Sequence, residues 1–108
     1  MNILHVRYAV AVAKAGSINK AADKLMTIDG IEASFALLRA ENTVTISARS
    51  RDKINVQIIM QKLGGGGHYD MAGARLPNVT LDGACRKLKE ALDDYLDNEY
   101  EQERRSRK

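Results

Sequence analysis

Four consecutive glycines, Gly64-Gly65-Gly66-Gly67, interrupt the chain between two apolar segments, and no regular helix runs through such a stretch. A single left-handed residue is enough to end a helix. Four in a row cost conformational entropy that capping does not explain. The run therefore predicts a loop whose bare backbone approaches a ligand closely, its N–H groups forming an anion-binding concavity. His68 follows directly and is expected to stand beside that ligand, donating a hydrogen bond to a phosphoryl oxygen. The alternative is a flexible linker with a surface histidine.

The segments on either side have the periods of an α/β domain. Val6 to Ala13 is rich in β-formers and reads as a strand buried on both faces. Ser17 is placed as the cap of a helix whose apolar face is Ile18, Ala21, Ala22, Leu25 and Met26, with Asp29-Gly30 as the turn that follows. Glu32 to Arg39 and Thr43 to Ser50 predict an antiparallel hairpin through Ala40-Glu41-Asn42. Alternation in its second strand puts Val44, Ile46 and Ala48 on one face, and Thr45, Ser47 and Arg49 on the other. A helix is expected from Asn55 to Leu63, with Val56, Ile59, Met60 and Leu63 facing inward. Ala72 to Leu76 reads as a short strand ended by Pro77. Leu81, Ala84, Cys85, Leu88, Ala91, Leu92, Tyr95 and Leu96 form an amphipathic stripe capped by Thr80 or Asp82. The order β-α-β-β-α-β-α gives a single α/β domain, a mixed sheet of about four to five strands covered by helices.

Composition narrows the functional classes. There is no Trp, one Phe and one Pro, so the core is aliphatic. The longest apolar run, Ala9 to Ala13, is too short to span a bilayer. Met1 to Ala13 carries His5 and Arg7, so no signal peptide is expected. Cys85 is the lone cysteine; at an apolar helical position it reads as core packing in a reducing, cytoplasmic compartment. The net charge of +3 is misleading, because residues 104–108 hold four of the 17 basic residues and no acid, leaving 13 basic against 14 acidic residues, a net −1. The body thus lacks the charge excess of a non-specific DNA binder. The division expected is a globular domain over 1–97 and a charged, flexible tail over 98–108.

A second polar cluster lies at Ser47-Ala48-Arg49-Ser50. Ser47 and Arg49 share the face opposite the apolar one, so a hydroxyl and a guanidinium fork point together, and such a fork engages two phosphate oxygens at once. Asn55, at the start of the next helix, adds an amide and the positive end of a helix dipole. The plain alternative is a solvated strand end with Asn55 as an N-cap.

Ser47-Ala48-Arg49-Ser50, Ile54-Asn55-Val56-Gln57, Ile59-Met60, Leu63 through His68 and Ala72-Gly73, taken in that order, resemble the DHH-associated domain. This domain is the C-terminal half of DHH phosphoesterases: RecJ-like nucleases, oligoribonucleases and cyclic-di-AMP phosphodiesterases. The wording around these residues, with Ala21-Ala22-Asp23-Lys24-Leu25 and Gly30 to Phe35 before them, is most similar to the cyclic-di-AMP branch. The resemblance covers roughly Ala21 to Leu92. It implies that Ser47, Arg49, Ser50, Asn55, Gly64, Gly65, Gly66, Gly67 and His68 contact the phosphate or ribose of a cyclic dinucleotide or, as runner-up, of a short oligonucleotide. It also implies two metal ions, usually manganese, held by a separate Asp-His-His domain expected to precede Met1 in a parent for which a membrane anchor is left open. This chain has only His5 and His68, so no metal, no cofactor and no catalytic residue is expected in it. One stretch departs from the family: Tyr69 to Ala74 lacks the Asn/Thr-rich wording of the cyclic-di-AMP branch, which leaves the nucleotide open.

His5 to Leu25 also resembles the opening of LysR-type DNA-binding domains. Such a domain next needs a polar recognition helix, whereas Asp29-Gly30 and the strand-like Ala33 to Leu38 follow here, so sequence-specific DNA binding is not expected. A protein-interaction module with the glycines as a linker is the remaining reading from another class.

Overall fold

The computed structural model describes residues 6–106. His5, Arg107 and Lys108, which entered the sequence reading, lie outside the described residues. In chain order the elements are β1 (Tyr8–Val12), α1 (Ile18–Leu25), β2 (Ala33–Ala40), β3 (Thr43–Ser50), α2 (Val56–Lys62), β4 (Gly66–Gly67), β5 (Met71–Pro77) and α3 (Leu81–Ser106). They build the expected α/β domain. Its five-stranded sheet has the order β1-β2-β3-β5-β4, with β1 parallel to β2 and every other pair antiparallel.

The alternation of β3 decides which face becomes the core. Val44, Ile46 and Ala48 join Phe35 and Leu37 of β2 and Ala72, Ala74 and Leu76 of β5 in one buried layer. Helices α2 and α3 close it with Val56, Ile59, Met60, Ala84, Leu88 and Leu92. Cys85 packs partly buried against this cluster. The caps follow local chemistry: Asn55 Oδ1 accepts from the Ile58 N–H, and Thr80 Oγ1 accepts from the Gly83 N–H.

The opposite face is thinly covered. The short helix α1 lies over it through a small cluster of Ala13, Ala22 and Ala36, and Ser34, fully buried, donates its hydroxyl to the Ala22 carbonyl. Among the described residues no helix lies beyond α1 toward β5 on this side, and the polar residues of β3 face that space.

Three expectations are corrected. β1 is not buried on both faces: it is the outer strand, paired only with β2, and Val10 and Val12 are 43% and 61% exposed. Ser17 stands at the start of α1 but does not cap it, since its hydroxyl donates to the Lys14 carbonyl instead. The glycine run is not wholly a loop, because Gly66 and Gly67 form a short edge strand on β5. Apart from these corrections, α3 runs on as helix through residues 98–106. Glu, Gln and Arg there are good helix formers, and Arg104 sits one turn from Glu101.

Candidate functional site

The site grows from the thinly covered face. In register across the sheet, Ser34, Arg49 and Met71 form one row; Ala36, Ser47, Gly73 and Gly66 the next; Leu38, Thr45 and Arg75 the third. Helix α1 forms one wall with Ile18 and Asn19, while Gly64 and Gly65 form the other. Between them lies a cleft of about 630 Å³ whose floor is β3 and β5, with Thr45, Ser47, Arg49, Met71, Gly73 and Arg75 among its lining residues.

Arg49 is held from several sides. Its Nε–H donates to Asp23 Oδ1 at 2.8 Å, and Nη1 donates to Ser47 Oγ and to the Ala48 carbonyl, both at 3.0 Å. Nη2 reaches Asn19 Oδ1 at 3.3 Å. Ser47 in turn donates its hydroxyl proton to Asn19 Oδ1 at 2.9 Å. Asn19 and Asp23 sit four residues apart on one face of α1 and together orient the serine–arginine pair. Of the five N–H donors of a guanidinium, four are engaged within the chain, the one to Asn19 by the longest contact.

Three of the four glycines have reasons internal to the fold. Gly64 has φ +85° just past the end of α2, a conformation glycine adopts at little cost. A Cβ on Gly65 would meet the Gly73 carbonyl oxygen at 2.1 Å, and one on Gly67 would meet Ala72 Cα at 2.6 Å. The close approach that the sequence suggested is thus, for these two, an approach to β5. Gly66 differs: its φ is ordinary and nothing lies within 4 Å of an added Cβ.

His68 continues the β4–β5 ladder. Its N–H donates to the Met71 carbonyl at 2.7 Å, and Met71 pairs with Arg49. The exposed His68 therefore stands in the row of Arg49, two strands away, at the margin of the cleft and not in its lining. Ser50 lies at the end of β3, its hydroxyl donating to the Tyr69 carbonyl at 3.2 Å. Asn55 spends its side-chain oxygen on the α2 cap, and its own N–H donates to the Tyr95 hydroxyl at 2.9 Å. The structure thus brings together Ser47, Arg49, Gly64 and Gly65, sets His68 beside them, and places Ser50 and Asn55 outside the cleft.

Sequence reasoning missed Asn19, Asp23 and Arg75. The Asn19–Asp23 spacing was visible, but only the apolar face of α1 was followed. Alternation in β5 already put Arg75 on the face of Met71 and Gly73. Among the described residues no group of three or more His, Cys, Asp or Glu side chains could hold a metal ion, and no helix is long and apolar enough to cross a membrane.

The profile of the DHHA1 domain matches residues 5–98. The chain belongs to the DHHA1 domain family. This DHHA1 domain is 48% identical over 81 residues to the cyclic-di-AMP phosphodiesterase GdpP of Geobacillus thermodenitrificans, covering 74% of the chain and 12% of that protein. It is 46% identical over 81 residues to the cyclic-di-AMP phosphodiesterase PdeA of Listeria monocytogenes, with the same coverage. With the bifunctional oligoribonuclease and PAP phosphatase NrnA of Thermus thermophilus it shares 41% identity over 69 residues, covering 64% of the chain and 21% of the relative. The chain thus spans about an eighth of the length of the two phosphodiesterases it resembles. Among solved structures, an exopolyphosphatase-related protein from Bacteroides fragilis superposes with a TM-score of 0.68 at 23% identity, over 77% of this chain and 24% of that one. The C-Ala domain of Aquifex aeolicus alanyl-tRNA synthetase gives 0.61 at 21% identity, over 81% and 89%. These two establish the fold alone.

Proposed function

We propose that this DHHA1 domain is the nucleotide-phosphate-binding part of a DHH-type phosphodiesterase, acting on a cyclic dinucleotide, cyclic-di-AMP, and not hydrolysing it alone. The observation that carries this reading is the convergence of Ser47, Arg49, Gly64 and Gly65 on one cleft, with His68 at its margin. The 46–48% identity to GdpP and PdeA supports the choice of nucleotide.

The chain's own residues divide the work. Asn19 and Asp23 hold the guanidinium in place, so little side-chain entropy is lost when an anion arrives. The remaining Nη2 hydrogen and the loosely held Asn19 contact are the positions where a phosphate oxygen enters. The Ser47 hydroxyl rotates to serve as a second donor, and His68 reaches the same phosphate from the β4–β5 turn. Manganese fits no donor set among the described residues. In this reading it is held by a separate Asp-His-His domain and supplies the activated water there.

The test combines calorimetric titration of the chain with cyclic-di-AMP and a hydrolysis assay in manganese. Saturable binding with no turnover is expected. Turnover that follows the protein through repurification would overturn the non-catalytic assignment. Tighter binding of a 5′-phosphorylated short RNA than of cyclic-di-AMP would move the substrate class toward that of NrnA.

A further inference from the structure

We propose that Arg75 receives a second phosphate of the nucleotide, one step along the cleft from Arg49. This rests on the reading that the cleft holds nucleotide phosphate, and adds a residue that neither the glycine run nor the serine–arginine pair predicts.

The two arginines of the cleft are in different states. Arg49 is half-buried, neutralised by Asp23, and has four donors engaged. Arg75 is exposed on β5, lines the same cleft, and has no hydrogen bond or ion pair among the described residues. An exposed arginine is ordinarily a solvated surface charge. Here, however, the register fixes its direction, because Arg75 pairs with Thr45, and Thr45, Ser47 and Arg49 alternate onto one face. The side chain of Arg75 therefore leaves the sheet on the cleft face, at a border shared with the groove of Lys62 and Glu90; its donors are free, as a bidentate phosphate contact requires.

Spacing sets the ligand class. Arg75 lies four residues along β5 from Met71, the partner of Arg49, which is about 14 Å at the rise of an antiparallel strand. In the row between them Ser47 is buried and bonded to Asn19, whereas Gly73 and Gly66 carry no side chain, so the open path between the arginines runs over the two glycines. A separation of that order suits two phosphates joined through a nucleoside.

The experiment measures affinities of the chain for cyclic-di-AMP and for AMP, in the wild type and in Arg75→Gln and Arg75→Lys. Arg75→Gln is expected to weaken cyclic-di-AMP binding by about tenfold or more, the cost of a charge-assisted contact, and to leave AMP, held at the Arg49 end, unchanged. The slope of affinity against added salt should become shallower, one charge contact having been removed. Arg75→Lys should retain the slope and lose part of the affinity. Equal cyclic-di-AMP affinity in wild type and Arg75→Gln overturns the role of Arg75 while leaving the cleft a phosphate site. Loss of AMP and cyclic-di-AMP binding in equal measure shows that Arg75 meets the same phosphate as Arg49, which also overturns it. A wild type that binds neither ligand defeats the reading beneath it.

Discussion

Asp23 Oδ1 accepts the Nε–H of Arg49 at 2.8 Å, tying helix α1 to strand β3 along one wall of the cleft. The carboxylate is 66% exposed while the arginine side chain is only 11% exposed, so this pair orients more than it stabilises. Asp23→Ala is expected to cost no more than about 1 kcal/mol in urea unfolding, in line with solvated ion pairs. The nucleotide dissociation constant should change more than that, because the guanidinium then moves freely.

Arg49→Lys keeps the charge and removes the fork. It is expected to weaken cyclic-di-AMP binding by about tenfold or more, since an ammonium cannot contact Ser47, Asp23 and a phosphate in the same plane. His68→Ala, in the same cross-strand row, should couple with it by about 0.5–3 kcal/mol in a double-mutant cycle read by calorimetry. Strict additivity would place the two residues on different parts of the ligand.

The glycines separate by experiment. Gly65→Ala puts a methyl group against the Gly73 carbonyl, a rigid backbone atom, and should destabilise the chain by about 1–3 kcal/mol or detach β4. Gly66→Ala meets nothing and should stay within about 0.5 kcal/mol of wild type. Thermal unfolding of the pair checks both.

Leu88 is 2% exposed in the main core. Leu88→Ala should cost about 2–5 kcal/mol, read as a lower denaturant midpoint with an unchanged slope.

Tyr95 gives the chain an alkaline limit. Burial, chiefly, pushes its phenol above the ordinary value of 10.0, outweighing the opposing hydrogen bond from the Asn55 N–H. The folded state thus keeps this proton more tightly than the unfolded state does. Its contribution is complete below about pH 10 and is lost as pH rises through the higher folded value. Tyr95→Phe should be less stable at neutral pH, having lost the Asn55 bond, and should show a flatter decline above pH 10.

The sequence spoke most clearly where one period acted alone. The β3 alternation and the α2 and α3 stripes gave the core face, because each depends on residues a few positions apart. Ser47 and Arg49 were legible for the same reason. What was not legible is long-range. Whether β1 is central or at an edge depends on which strands flank it, and Val10 and Val12 look the same either way. Nothing local says that the Gly65 and Gly67 backbones press on β5, or that Asn19 and Asp23 reach a strand more than twenty residues later. Arg75 was hidden because only the β3–β5 register sets it opposite Thr45, in the row next to Ser47.

The assignment of this cleft as a phosphate site is tested by titrating the isotope-labelled chain with cyclic-di-AMP and following backbone and arginine side-chain resonances. Shifts should concentrate at Ser47, the Arg49 Nε–H, Gly64, Gly65, His68, Gly73 and Arg75, with the α2–α3 surface silent. Shifts confined to Lys62, Lys87 and Glu90, in the groove that borders the cleft at Arg75, or none at saturating ligand, would contradict it.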